Sequence, residues 1–85
     1  MYYVYVLRGI KSNRWYTGCT DDLRKRFKEH NEGKSYYTRR YTYELIYYEA
    51  CLDKKDAFMR EKYLKTGMGK RYLNNRLKRF LSLTG

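Results

Sequence analysis

The chain has 85 residues, with 20 Lys and Arg against 9 Asp and Glu and a net charge of +11. That length has room for one domain with a modest core, burying roughly 60–65% of the unfolded surface. A content of 42% hydrophobic and 34% charged residues excludes a disordered chain, and no apolar run approaches the ~20 residues of a membrane-spanning helix.

Residues 2 to 7, YYVYVL, are β-branched and aromatic and predict a strand. A turn over Gly9-Ile10-Lys11-Ser12-Asn13 leads into a second short strand, RWYTG at 14 to 18, and the two form an antiparallel hairpin. Thr20 is the expected N-cap of a first helix, with Asp21 and Asp22 in its first turn, and the helix is expected to run to Glu32 and stop at Gly33. KSYYTRRYTY, 34 to 43, reads as a basic, tyrosine-rich loop, and ELIYYEA, 44 to 50, as a third strand. Asp53 caps a second helix with Asp56 at the capping-box position, ending near Gly67 and Gly69. A last helix over about 70 to 82 aligns Leu73, Leu77, Phe80 and Leu81 on one face. The order β-β-α-β-α-α is an α+β fold, a small three-stranded antiparallel sheet flanked by helices.

The charge excess points to a polyanionic partner, most often nucleic acid. Twelve Tyr against 3 Phe suit both a core and base stacking. Cys19 and Cys51 lack zinc spacing and a disulfide framework, and MYYVYVL is too short and wrongly flanked for a signal peptide. The expectation is therefore a cytoplasmic protein with reduced thiols and no membrane partner. A catalytic pair of either Cys19 or Cys51 with His30 is the less ordinary alternative.

On the first helix, Leu23 and Phe27 form an apolar stripe with Arg26 and His30 beside it, while Arg24, Lys25 and Lys28 point elsewhere. This is either a basic surface helix or part of a site. In the second helix Glu61 falls on a face shared by Ala57, Leu64 and Met68, towards Phe58. A carboxylate there needs a partner or a metal; otherwise it is a rim residue paired with Lys65 one turn on. Alternation places Tyr3, Tyr5 and Leu7 on one face of the first strand and Tyr2, Val4 and Val6 on the other. Tyr5 and Tyr16 across a hairpin would by themselves be packing.

Taken in order, Tyr3-Val4-Tyr5, Tyr16-Thr17-Gly18, the run from Asp22 through Arg26 to His30, and Glu61 within AFMREKYLKTG resemble the GIY-YIG nuclease domain. The likeness is nearest to the small stand-alone bacterial members and more distant from the incision module of the nucleotide-excision-repair subunit. It implies an endonuclease hydrolysing DNA, in repair or recombination, with one divalent ion (Mg²⁺ or Mn²⁺) on Glu61 and no small-molecule cofactor. Arg26 would stabilise phosphate charge, Tyr5 and Tyr16 would flank the attacking water, and His30 would assist positioning or proton transfer. The late Asn of the family falls on Asn74 or Asn75. Two departures stand out: the first motif lacks its Gly, and Thr17 replaces the usual aliphatic residue.

A tyrosine with a pKa of about 10 is a poor base at neutral pH, and nearby cations, Arg26 and a metal, are expected to favour its phenolate. In the basic loop, Lys34, Arg39 and Arg40 are candidates for phosphate contacts and Tyr36 and Tyr37 for base stacking, with a solvated loop as the plainer reading. RNA is the other substrate class these residues admit. A non-catalytic nucleic-acid-binding module, or a basic adaptor for an acidic protein, shares the charge but leaves Glu61 unexplained.

Overall fold

In a computed structural model, residues 1–32 and 42–84 are described. Two antiparallel pairings build a three-stranded sheet in the order β2-β1-β3, from β1 (Tyr2–Gly9), β2 (Trp15–Thr20) and β3 (Tyr43–Cys51). The hairpin closes as expected, through Gly9 N–H to the Arg14 carbonyl at 2.8 Å and Asn13 N–H to the Gly9 carbonyl at 3.0 Å. Asn13 takes φ 59°, a left-handed conformation that Asn tolerates better than most residues.

Being central, β1 is buried on both faces, and its alternation sorts the helices. Val4 and Val6 meet Ala57, Leu64 and Leu73 on one side, while Tyr5 and Leu7 meet Tyr43, Leu23 and Phe27 on the other. Each large aliphatic side chain so buried contributes about 1.5–3 kcal/mol. Helix α1 (Leu23–Asn31) thus covers one face, and α2 (Lys54–Leu64) with α3 (Gly67–Arg76) covers the other. A bulge in β3 opposite Val6 and Leu7 turns both Ile46 and Tyr47 to the α2 side while Leu45 stays on the α1 side.

Several expected boundaries moved. Because β2 runs on to Thr20, which pairs with Tyr3, Thr20 is not the helix cap. Asp22 is, its carboxylate accepting from Lys25 N–H at 3.2 Å, so neither Asp lies inside the first turn. The helix ends at Asn31, and its expected stop, Gly33, lies outside the described residues, as do Lys34, Tyr36, Tyr37, Arg39 and Arg40.

Asp53 caps α2 as expected, accepting from Asp56 N–H at 3.0 Å. That helix ends at Leu64, and Thr66 caps α3. Met68 therefore leaves the Ala57–Leu64 face and is exposed. A Cβ on Gly69 would stand 2.5 Å from the Leu64 Cα, so only Gly lets the start of α3 abut the end of α2.

The last expected helix is two, α3 and α4 (Lys78–Thr84), with Leu77 as the α3 C-cap. Leu73 enters the core, whereas Phe80 lies under the Arg8 guanidinium at 4.9 Å and Thr84 accepts from Arg8 at 3.0 Å. The break lets both ends engage β1. No helix among the described residues is long and apolar enough to cross a membrane.

Candidate active site

Tyr5, Tyr16, Arg26 and His30 meet beside β2, on the α1 face of the sheet. Tyr16 pairs with Leu7 and Gly18 with Tyr5, so Tyr16, Gly18 and Tyr5 share that face by alternation. The Tyr5 ring lies across Gly18: a Cβ there would come 2.6 Å from its Cζ and meet the hydroxyl as well. The glycine of Tyr16-Thr17-Gly18 is therefore required for space.

Beyond Gly18 the Tyr5 hydroxyl reaches His30 Nε2 at 2.9 Å. The Tyr16 and His30 rings lie 4.8 Å apart between centroids. Helical spacing on α1 delivers Arg26 and His30 to this point, half-buried and fully buried, while Arg24, Lys25 and Lys28 face solvent.

The Arg26 guanidinium interacts electrostatically with Tyr5 and Tyr16 and lies 3.5 Å from Glu29. Burial opposes its charge, but the hydroxyls of Tyr5 and Tyr16 outweigh that, and its pKa lies above the ordinary value. With His30 as the Nδ1–H tautomer, the Tyr5 hydroxyl donates to Nε2. Burial first, and the Arg26 charge second, lower the His30 pKa from 6.5 to about 4, so the ring is neutral near pH 7.

Contrary to expectation, the nearby cation does not favour a Tyr5 phenolate. Burial raises its pKa from 10.0 to about 12, Arg26 opposes this only in part, and the charges of Tyr16 and Glu61 add to the rise. Desolvation of the charged form outweighs the cation.

Glu61 arrives from the other layer. Its side chain is 19% exposed, and Lys65 Nζ lies 2.9 Å from its Oε2. Its carboxylate is near enough to act electrostatically on Tyr5 and on Cys19. The rotation of α2 that aims it there is set by Arg60, whose Nε donates to Glu49 at 2.9 Å and whose guanidinium packs on Tyr72 at 4.7 Å.

No three His, Cys, Asp or Glu side chains among the described residues cluster into a metal cage. A lone carboxylate still fits Mg²⁺, which keeps several waters and takes one or two carboxylates plus phosphate oxygens.

Asn74 and Asn75 lie on α3. Both are exposed, because α3 turns Gly69, Tyr72 and Leu73 inward, and the Asn74 amide donates to the Lys70 carbonyl at 2.8 Å on its own helix. Neither Asn74 nor Asn75 is therefore buried in the packed face of α3. The Cys–His pair fails. Cys19 and Cys51 both pack on the α2 face and His30 bonds Tyr5 on the α1 face, while burial raises the Cys19 thiol pKa.

Of the clefts that border the site, two are assembled from residues distant in sequence and invisible to motif reading. One, of about 440 Å³, is lined by Tyr2, Cys19, Thr20, Arg26, Lys54 and Phe58 together with Asp21. The other, of about 250 Å³, lies between Tyr16 and Lys70.

Residues 1–78 match the model of the GIY-YIG catalytic domain. The chain is 44% identical over 66 residues to the UPF0213 protein YazA of Bacillus subtilis, covering 75% of this chain and 66% of that one. It is 45% identical over 67 residues to a UPF0213 protein of Clostridium perfringens, covering 76% and 71%. The solution NMR structure of a UPF0213 protein from Bacillus halodurans superposes with a TM-score of 0.55 at 36% identity, covering 88% of this chain and 84% of that one.

Proposed function

Because the chain belongs to the family of GIY-YIG catalytic domains, a nuclease family, we propose that it is a DNA endonuclease using Mg²⁺ or Mn²⁺ held by Glu61. Repair or recombination in the cytoplasm is the setting this reading implies. The observation that carries it is the buried Tyr5–His30 hydrogen bond beside Tyr16, with Arg26 and Glu61 close enough to act on Tyr5 electrostatically. Structural packing alone does not call for a buried Tyr–His pair between an arginine and a carboxylate.

The first-motif departure is absorbed by the fold, since Tyr3, which stands at the place of the Gly, is only half-buried and packs edge-on against Tyr48. In the proposed reaction the water oxygen bonds to phosphorus and the bond to the leaving oxygen breaks. Tyr5 and Tyr16 position the water, His30 Nε2 holds the Tyr5 hydroxyl in place, and the water proton passes to solvent, so no standing phenolate is required. The leaving oxygen takes a proton from solvent. Arg26 balances charge developing on the phosphoryl oxygens. A divalent ion on Glu61 would supply Lewis-acid stabilisation of the same oxygens.

Glu61→Gln tests this. Metal-dependent cleavage of labelled branched, nicked and single-stranded DNA is expected to vanish, while DNA binding stays within a few-fold. Undiminished cleavage removes the metal role. The Lys65–Glu61 ion pair favours a second reading, a non-catalytic binding module. A parent protein that binds these DNAs but leaves them uncut with either ion would establish it.

A further inference from the structure

Building on the nuclease reading, we infer that Lys65 is a two-position cation. It holds the Glu61 carboxylate until a divalent ion takes it, then binds the phosphate flanking the scissile one in the cleft beside Tyr16. That cleft is lined by Trp15, Tyr16, Thr17, Leu64, Lys65 and Lys70. Its lining offers two ammonium groups and two hydroxyls and has no carboxylate, the composition of an anion site. The surface groove along α1 at Arg26, by contrast, is lined by Asp21, Asp22 and Glu29 as well as Lys25, which repel a phosphate. The cleft adjoins Tyr16, one of the converging site residues, so a backbone phosphate seated there is next in line along the strand. Thr17, which departs from the usual aliphatic residue of the motif, is among the residues lining the cleft.

Lys65 can occupy both positions because it is lightly held. Its side chain is 55% exposed, and its partner lies one turn back along the helix at 2.9 Å. Exposed pairs of this spacing are weak, and a doubly charged ion on the same carboxylate outcompetes one ammonium. Release then adds a positive charge to the cleft at the moment the metal arrives, coupling metal binding to the grip on substrate.

The test is the slope of log affinity against log salt for a short fluorescein-labelled DNA duplex, measured by anisotropy without divalent ions. Each phosphate contact contributes about −0.9 to that slope. Lys65→Met is expected to leave the slope unchanged in the parent, where Glu61 retains the ammonium. In the Glu61→Gln background, where the ammonium is already free, the same substitution is expected to flatten the slope by about 0.9. Lys70→Met is expected to flatten it in both. Titration calorimetry with MnCl₂ is expected to show several-fold tighter binding to Lys65→Met than to the parent. Equal flattening by Lys65→Met in both backgrounds, or none in either, overturns the proposal. So does unchanged Mn²⁺ affinity. No cleavage is read, so the outcome is independent of whether the protein cuts DNA.

Discussion

Acidification should loosen this protein through one side chain. His30 is fully buried with Nε2 on the Tyr5 hydroxyl at 2.9 Å, and burial with the Arg26 charge lowers its pKa from 6.5 to about 4. Between those values the unfolded chain binds a proton that the folded one refuses, so stability falls as pH falls through that window and is level above it. At about 1.36 kcal/mol per pH unit the full loss is roughly 3 kcal/mol, of which roughly 2 kcal/mol falls between about pH 7 and pH 5. Urea unfolding followed by circular dichroism at a series of pH values measures the slope, and His30→Gln, which keeps a polar partner for Tyr5 but cannot titrate, should abolish it. His30 is the only histidine, so its ring signals in an NMR titration are unambiguous. A His30 pKa at the ordinary 6.5, or a His30→Gln variant with the parent's pH slope, would refute the reasoning.

Gly18→Ala should destabilise the fold by about 1–3 kcal/mol, the usual range for overpacking, and should break the Tyr5–His30 hydrogen bond, read as a displacement of the His30 ring signals in the NMR spectrum. Arg26→Ala should reduce cleavage about 10²–10³-fold, as removal of one charge-stabilising donor does, whereas Arg24→Ala should only weaken binding slightly; equal losses would make α1 a plain basic surface. Removing Arg39 and Arg40 together should flatten the salt dependence of DNA affinity by about one to two units, with base preference unchanged, and a parent-like slope would show that the 34–43 segment does not touch the backbone.

Short-range rules were enough for much of the fold. The alternation in Tyr2–Leu7 assigned Val4 and Val6 to one face and Tyr5 and Leu7 to the other, and both assignments hold because a strand has a strict period of two. The Leu23–Phe27 stripe and the Asp53 cap are equally local, each depending on residues within one helical turn. The same spacing already set Arg26 and His30 apart from Arg24, Lys25 and Lys28. Tertiary structure decided whatever depended on a partner far along the chain. Thr20 has the chemistry of a cap, but pairing with Tyr3 held it in β2 and passed the role to Asp22. Helical periodicity ran unbroken through Leu77, yet the chain breaks there because Leu73 is drawn into the core while Phe80 and Thr84 engage Arg8. The wheel drawn through Met68 failed for a related reason: Gly69 lets α3 turn directly against the end of α2. Most of all, the pKa of Tyr5 followed from how completely β1 is covered. Desolvation depends on every atom that excludes water, and those atoms come from α1, β2 and β3 together; no count of neighbouring cations along the sequence contains that term.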